Sequence, residues 1–416
     1  MGDLTLLRLY NSMTQNLEIF ESEENGKVKM FTCGPSIYQP AHLGNYRTFL
    51  FEDILLRYLE FTGYDVERTL NFTDIEDKAI IESNKNLTDV FSLTNSCAAK
   101  FFTDIAALMI KKPTYNPRSS TSVGKAVKII ENLLQKGHAY WYRGNVYFDI
   151  RSFKDFGKLS HLKSSDWPAK IRRFHKDTYP GNNWNIGDFI LWHGHRTEEG
   201  LSWETSLGRG RPSWNIQDPA MLCDTLGPTV DIWCGGEDNL VRHHDYNIAV
   251  MESVTGKKLS SYWLHGAHLL VEGKKMSKSR GNVIYPENLL SNGYSGKEIR
   301  FFLIYAHYRE RLNFTYKSME QKTQRLRDLL VNIDKLKKPS SDKNLEDTKA
   351  SEIIKKMVPT FNSHMDNDLD VLSAFDSLEG TIVELGYLHD KGNIGKRNVE
   401  DLISSISQIN TVLRVL

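Results

Sequence analysis

The chain has 416 residues, and 53 lysines and arginines against 52 aspartates and glutamates give it a net charge of +1. Hydrophobic residues make up 40% and charged residues 25% of the sequence, a composition that excludes the disordered, collagen-like and coiled-coil classes. The length predicts two or three structural units. The near-neutral charge excludes a protein that binds nucleic acid through a strong overall positive field.

The cysteines and the N-terminal sequence indicate the cellular setting. Four cysteines in so long a chain are too few for a disulfide framework, which favours a reducing cytoplasm. We find no signal-peptide pattern and no apolar run as long as a membrane span. The sequence therefore predicts a cytoplasmic protein with neither a membrane nor DNA as a partner.

The first predicted elements form a strand–helix–strand unit. Residues 28–33 (VKMFTC) read as a buried strand, and a helical periodicity begins near Leu43. Residues 66–72 alternate apolar and polar side chains, which predicts a second strand. Two strands joined through a helix at this spacing are predicted to pair in parallel.

The rest of the chain divides by composition. Helical patterns begin near residue 88, residues 151–213 predict loops and short strands, and strand character returns near Val230. We predict an α/β fold in four segments. These are the first half of a nucleotide-binding domain (1–87), an inserted connective region (88–213), the second half of that domain (214–296), and a helical stem and bundle (297–416).

Two short motifs indicate phosphate chemistry. Residues 42–45 (HLGN) lie where the first strand gives way to a helix, and a helix N-terminus is a ready anion site. Taken alone, this motif is better explained as a helix cap. Residues 275–279 (KMSKS) place two lysines around small residues, which suits a clamp on a polyphosphate. The order of these five residues favours that function over a solvated basic loop.

The two motifs, in this order, resemble the class I aminoacyl-tRNA synthetases. Longer segments resemble the cysteinyl-tRNA synthetase family along nearly the whole chain, among them FTCGPSIYQPAHLGNYRTFLFEDILLRYL, NFTDIEDKAI, DFILWHG and HHDYN. The resemblance implies a doubly wound, Rossmann-like parallel sheet with an inserted region and a C-terminal helical bundle. It also implies a ligase that uses ATP and Mg²⁺ to form an aminoacyl-adenylate, releasing pyrophosphate and then AMP.

The resemblance further assigns roles to single residues. The catalytic residues that it implies are His42, Asn45, Lys275 and Lys278. Those that it places at ATP are Gly44, Gly235, Gly236, Asp238, Ser277 and Ser279. Those that it places at the amino acid are Cys33, Ser36, Thr73, Trp214 and Asp218. The structural alternatives are a packed tryptophan for Trp214 and a turn cap for Thr73.

The chain departs from the resemblance at the metal site. Members of the family read the substrate thiol with a zinc ion held by two cysteines, a histidine and a glutamate. Cys33 and His243 match two of these ligands, but Asp218 and Asn247 stand at the other two. One interpretation is a three-ligand zinc site of Cys33, Asp218 and His243. The other, which we slightly favour, is a pocket without metal that accepts an amino acid other than cysteine.

The acceptor of the acyl group is predicted from the end of the chain. The sequence stops at Leu416, where tRNA-charging members continue into an anticodon-reading domain, and so resembles the truncated branch of the mycothiol-pathway cysteine ligase. We therefore expect a small amine or hydroxyl acceptor rather than tRNA. One alternative is a minimal cysteinyl-type tRNA synthetase that contacts an acceptor stem with residues 170–176, Arg209 and Arg211. The other is a non-catalytic amino-acid sensor, against which the retained His42 argues.

Overall fold

The computed structural model describes residues 6–162, 187–194, 201–276, 280–340 and 347–416. Strands and helices alternate through the first 315 residues or so, and helices alone follow. Within the described ranges, no helix is both long and apolar enough to cross a membrane.

The described residues form thirteen strands and thirteen α-helices. The strands are β1 (Arg8–Asn11), β2 (Asn16–Ile19), β3 (Lys27–Thr32), β4 (Asp65–Leu70), β5 (Ala139–Tyr142), β6 (Asn145–Phe148), β7 (Phe189–Gly194), β8 (Gly210–Pro212), β9 (Val230–Gly236), β10 (Ser260–Gly266), β11 (Leu269–Val271), β12 (Lys274–Lys275) and β13 (Leu312–Phe314). The helices are α1 (Leu43–Phe61), α2 (Asp77–Lys85), α3 (Val90–Ala107), α4 (Val123–Gln135), α5 (Trp214–Thr225), α6 (Glu237–Asn239), α7 (Asp245–Thr255), α8 (Pro286–Ser291), α9 (Gly296–Ile304), α10 (Tyr316–Leu336), α11 (Thr348–Met365), α12 (Val371–Asp390) and α13 (Lys396–Leu413). A 3₁₀ turn (Ile150–Ser152) and a π-helical turn (Leu240–His244) complete the set.

The central sheet has four parallel strands in the order β10-β9-β3-β4. The predicted strand–helix–strand unit is confirmed, because β3 leads through α1 to β4 and the two strands pair in parallel. On its other edge β3 pairs with β9. The strand order therefore reverses between β3 and β9, and ligands of such sheets bind beyond the strand ends at this point.

Both faces of the central sheet are covered. Along β9, Ile232 and Cys234 join a core packed beneath α1 and the C-terminal helices. Trp233, which lies between them and points the other way, joins a second core with α4, α5 and α7. This alternation is what a parallel sheet buried on both faces requires.

The chain between β4 and β9 includes the predicted inserted region (88–213). It contains α2 to α5 and an antiparallel sheet in the order β5-β6-β7-β8. Strands β7 and β8 agree with the short strands predicted over residues 151–213. The three predicted domain boundaries, after residues 87, 213 and 296, stay predictions.

A buried ion pair joins α9, in the C-terminal part of the chain, to α1. The guanidinium of Arg300 in α9 lies 2.7 Å from the Asp53 carboxylate in α1, and both side chains are fully buried. Arg300 Nε also donates to the backbone oxygen of Leu413 at the end of α13. Because each buried charge has its partner, this contact holds α1 in a fixed position beneath the bundle.

Candidate active site

The N-terminus of α1 lies just beyond the carboxyl end of β3. His42 Nδ1 accepts a hydrogen bond from the Asn45 backbone N–H at 3.3 Å, and Asn45 Oδ1 accepts one from the His42 backbone N–H at 3.0 Å. Since Nδ1 is the acceptor, the neutral ring carries its hydrogen on Nε2, the nitrogen suited to donate to a phosphate oxygen. The helix-cap interpretation is thus correct for Nδ1 and is compatible with a phosphate contact.

A cavity of about 540 Å³ opens at this helix N-terminus, a volume typical of sites for small ligands. Residues from both sides of the strand-order reversal line it, including Cys33, Ser36, His42, Asn45, Gly236 and Asp238. A smaller cavity of about 150 Å³ shares His42, Asn45 and Asp238 with it. The predicted site residues that come before and after the strand-order reversal therefore border the same cavity.

The second predicted motif is described only in part. Lys275 borders the smaller cavity together with Gly44 and His42. The backbone oxygen of Lys275 accepts a hydrogen bond from Asn282 Nδ2 at 3.3 Å, which joins the two ends of the loop. Ser277, Lys278 and Ser279 lie outside the described residues, so their predicted roles stay predictions.

The glycines predicted at ATP allow neighbouring side chains to pack closely. A Cβ atom on Gly44 would lie 3.1 Å from the His42 ring, and one on Gly235 would lie 2.8 Å from Cε1 of His244. A Cβ atom on Gly236 would lie 2.7 Å from Oδ1 of Asp238. Gly44 and Gly236 border the cavities, whereas Gly235 makes room for a buried histidine.

The predicted metal ligands meet at Cys33, which also lines the larger cavity. One donor atom each from Cys33, Asp218 and His243 lies within 4.8 Å of the other two. Asp218 Oδ2 lies 2.7 Å from His243 Nε2 and 3.6 Å from Cys33 Sγ. Burial and the Asp218 carboxylate raise the pKa of the Cys33 thiol well above its usual value, which favours a protonated thiol.

Of the other residues predicted at the amino acid, Trp214 contacts this cluster, and Ser36 lines the larger cavity. The Trp214 ring stacks on the His243 ring with a centroid separation of 4.5 Å. Ser36 and Thr73 pair through their backbones, and the Thr73 oxygen accepts from the N–H of Ile37 at 3.1 Å. Thr73 thus fixes the path of the chain between β3 and α1, beside the cavity.

Sequence reasoning missed three residues that support the cluster. Asn71 Nδ2 donates to Asp218 Oδ1 at 2.9 Å, and Asn71 Oδ1 accepts from the Gly34 N–H. His244 Nε2 lies 3.1 Å from Cys33 Sγ, and His244 Nδ1 lies 2.8 Å from His265 Nε2. Asn71 and His244 fall in the quoted segments NFTDIEDKAI and HHDYN, which was the available signal.

Comparison with known proteins decides the family. The family described as the class I (C) catalytic domain of tRNA synthetases matches residues 19–324. A cysteine–tRNA ligase of Chlamydia felis is 37% identical over 99% of this chain and 86% of its own length. One from Brachyspira hyodysenteriae is 35% identical over 97% of this chain and 85% of its own length. The chain belongs to the cysteinyl-tRNA synthetase family. It is therefore a ligase that forms an aminoacyl-adenylate and releases pyrophosphate and AMP.

Solved structures agree with this family in fold. A Mycobacterium tuberculosis methionyl-tRNA synthetase in complex with methionyl-adenylate aligns with a TM-score of 0.67 over 94% of this chain and 90% of its own, at 13% identity. A leucyl-tRNA synthetase (agnB2 LeuRS) of Agrobacterium radiobacter K84 gives the same TM-score at 12% identity, over 95% of this chain and 85% of its own. The predicted class I synthetase fold is confirmed.

The residues present do not fit the four-ligand zinc site of the cysteinyl-tRNA synthetase family. Nitrogen and oxygen ligands of a tetrahedral zinc, at about 2.0–2.1 Å from the ion, stand roughly 3.3 Å apart. His243 Nε2 and Asp218 Oδ2 are 2.7 Å apart, a hydrogen-bond distance. Asn247 offers a neutral carboxamide where the family has a carboxylate. The three-ligand alternative of Cys33, Asp218 and His243 stays a prediction.

Cys234 is fully buried in the core beneath α1.

The predicted acceptor-stem surface finds little support in the described residues. Arg211 is 4% exposed and its guanidinium pairs with Asp77, so it is held inside the protein. Arg209 is exposed, and its Nε donates to Ser202 Oγ at 3.0 Å. Residues 170–176 lie outside the described ranges. Of the three predicted elements, only Arg209 offers a described cation at the surface.

Proposed function

We propose that this ligase activates a small amino acid with ATP at the helix N-terminus of α1 and transfers the acyl group to a tRNA hydroxyl. The observation that carries the proposal is the cavity that His42, Asn45 and Asp238 border where the strand order reverses. Its volume and position suit a nucleotide beside an amino acid.

The activation step is a substitution at phosphorus. A carboxylate oxygen of the amino acid forms a bond to the α-phosphorus, and the bond from that phosphorus to the bridging oxygen breaks, so pyrophosphate leaves. His42 Nε2 and the backbone N–H groups at the start of α1 donate to the phosphate oxygens. Lys275 and Lys278 follow the negative charge that gathers on the leaving group. Mg²⁺ at the triphosphate stays a prediction.

The proposed acceptor follows the relatives rather than the end of the sequence. Cysteine–tRNA ligases match this chain over 97–99% of its length, and that likeness supports a tRNA hydroxyl. This hydroxyl would attack the carbonyl carbon of the adenylate, and AMP would leave as the hydroxyl proton is lost. The small amine or hydroxyl acceptor expected from the sequence is the alternative that the acyl-transfer experiment compares with tRNA.

Amino-acid-dependent ATP–pyrophosphate exchange tests the first half-reaction. We expect exchange with at least one amino acid in a panel of standard and small non-standard ones. Exchange with none of them would contradict the proposal and would favour the sensor alternative.

Acyl transfer tests the second half-reaction. The preformed adenylate is mixed with total tRNA or with a panel of small amines and alcohols, and the labelled products are counted. Acylated tRNA with no labelled small product supports the proposed acceptor. The reverse result would overturn the tRNA acceptor and restore the expectation from the sequence.

A further inference from the structure

The Asp218 carboxylate is held in a buried, hydrogen-bonded position. Its side chain is 3% exposed. Oδ1 accepts from the Asn71 carboxamide at 2.9 Å, and Oδ2 lies 2.7 Å from His243 Nε2. These contacts come from two different elements, so the carboxylate is fixed in direction as well as in place. A buried acceptor held in this way is suited to bind a hydrogen-bond donor.

A second polar side chain, on the helix that follows His243, is also buried. Asn247 follows His243 by one helical turn and is fully buried. Neither Oδ1 nor Nδ2 of Asn247 has a hydrogen-bond partner among the described residues, and His243 Nδ1 has none either. Native proteins rarely leave buried polar atoms unpaired, because such atoms lose their bonds to water and gain none. The unpaired carboxamide therefore points to a polar ligand.

We propose that this pocket reads its amino acid without metal, through Asp218 and Asn247, and that the substrate is a small amino acid whose side chain donates hydrogen bonds through an amine or a hydroxyl group. This inference rests on the proposed amino-acid activation and names its substrate class. Asn71 is a positioning residue, since it acts through the Asp218 carboxylate.

The size of the cluster limits the side chain that it can read. The donor atoms of Cys33, Asp218 and His243 lie within 4.8 Å of one another, and Trp214 stacks on His243 at 4.5 Å. Groups packed this closely can meet only the end of a short side chain. The proposed side chain therefore has one carbon and ends in an amine or a hydroxyl.

Binding of non-hydrolysable adenylate analogues tests the substrate class. Calorimetry compares four aminoacyl-sulfamoyl adenosines, made with serine, 2,3-diaminopropionate, alanine and cysteine, and the zinc content of the purified protein is measured alongside. The serine or diaminopropionate analogue should bind about tenfold or more tightly than those of alanine and cysteine, as a charged hydrogen bond provides. Zinc should be well below one ion per chain.

Two substitutions on one helix separate the Asp218 contact from a general loss of charge. Asp218→Asn should remove the preference over the alanine analogue. Asp224→Asn, at an exposed aspartate later in α5, removes the same charge and should keep that preference. If Asp218→Asn fails to fold, Asn247→Ala takes its place as the test. It does not alter the buried carboxylate, and it should weaken binding of the preferred analogue.

The outcomes separate this inference from the proposed function. A preference for the cysteine analogue, one zinc per chain, or equal binding of all four analogues would each overturn the metal-free reading. Exchange of pyrophosphate with cysteine alone would overturn it and leave the activation function standing. Failure of all four analogues to bind, together with no exchange, would overturn the proposed function itself.

Discussion

The proposed nucleotide side of the site and its proposed side-chain-reading side differ in how they are built. At the nucleotide side, His42, Asn45 and Asp238 border an open cavity, and the helix N-terminus supplies backbone donors. At the other side, Asp218 and His243 form a nearly closed, buried network. A triphosphate is the same for every synthetase and can be held by backbone groups, which tolerate sequence change. A side chain is read by a few buried polar groups, so each replacement there alters the chemistry of the whole network.

The largest expected change would convert the reading side into the ligand set that the family resemblance implies. Asp218→Cys combined with Asn247→Glu would place two cysteines, a histidine and a glutamate at the cluster. We expect the double variant to bind one zinc per chain and the unsubstituted protein to bind little, as measured by elemental analysis after dialysis. Equal zinc content in the two proteins would show that Asp218 and Asn247 do not decide whether the cluster binds metal.

The nucleotide side should depend most on His42. His42→Ala removes the predicted donor to the phosphates and should slow adenylate formation by a factor of roughly 10²–10³, as loss of one transition-state donor commonly does. The rate of pyrophosphate exchange measures this. His389→Ala, at a histidine in α12 far along the chain, is the control. An undiminished exchange rate in His42→Ala would show that His42 is not a catalytic residue.

Substitution of two glycines tests how closely side chains pack on the two sides. Gly235→Ala would place a Cβ atom 2.8 Å from the buried His244 ring, and such overpacking commonly costs about 1–3 kcal/mol of unfolding free energy. Gly44→Ala would place a Cβ atom 3.1 Å from the His42 ring, in a helix that favours alanine. Compared with Gly235→Ala, it should lower the unfolding free energy less and lower the activity more. Urea unfolding and exchange rates measure both effects. A smaller stability loss for Gly235→Ala than for Gly44→Ala would reverse this ranking.

The last prediction concerns the pH dependence of stability. Burial lowers the pKa of His265 to about 3, whereas the unfolded chain has the ordinary value near 6.5. Between these values the unfolded state binds the extra proton. The free energy of unfolding should therefore fall as pH drops from about 6.5 towards 3, by about 1.4 kcal/mol per pH unit for one proton.

A single substitution checks that origin. His265→Gln should flatten the slope in urea unfolding measured between pH 6.5 and 4. His389→Gln should keep the slope of the unsubstituted protein. An unchanged slope in His265→Gln would show that other groups cause the acid sensitivity.

The sequence was sufficient for the fold and for the helix cap at His42. The alternation in residues 66–72 and the periodicity after Leu43 predicted the parallel unit, because local patterns of burial follow directly from strand and helix geometry. The cap at His42 was also predictable, since it involves residues three apart.

Only the tertiary structure could show how the reading side is connected. Asn71 and Asp218 are 147 positions apart in the chain, yet their side chains share a hydrogen bond. Cys33 and His244 are likewise distant in the chain, and the sequence did not indicate that their side chains are in contact. The sequence thus determined which residues depart from the family. The folded chain decided what the departures contact, because a buried hydrogen bond depends on positions that only packing brings together.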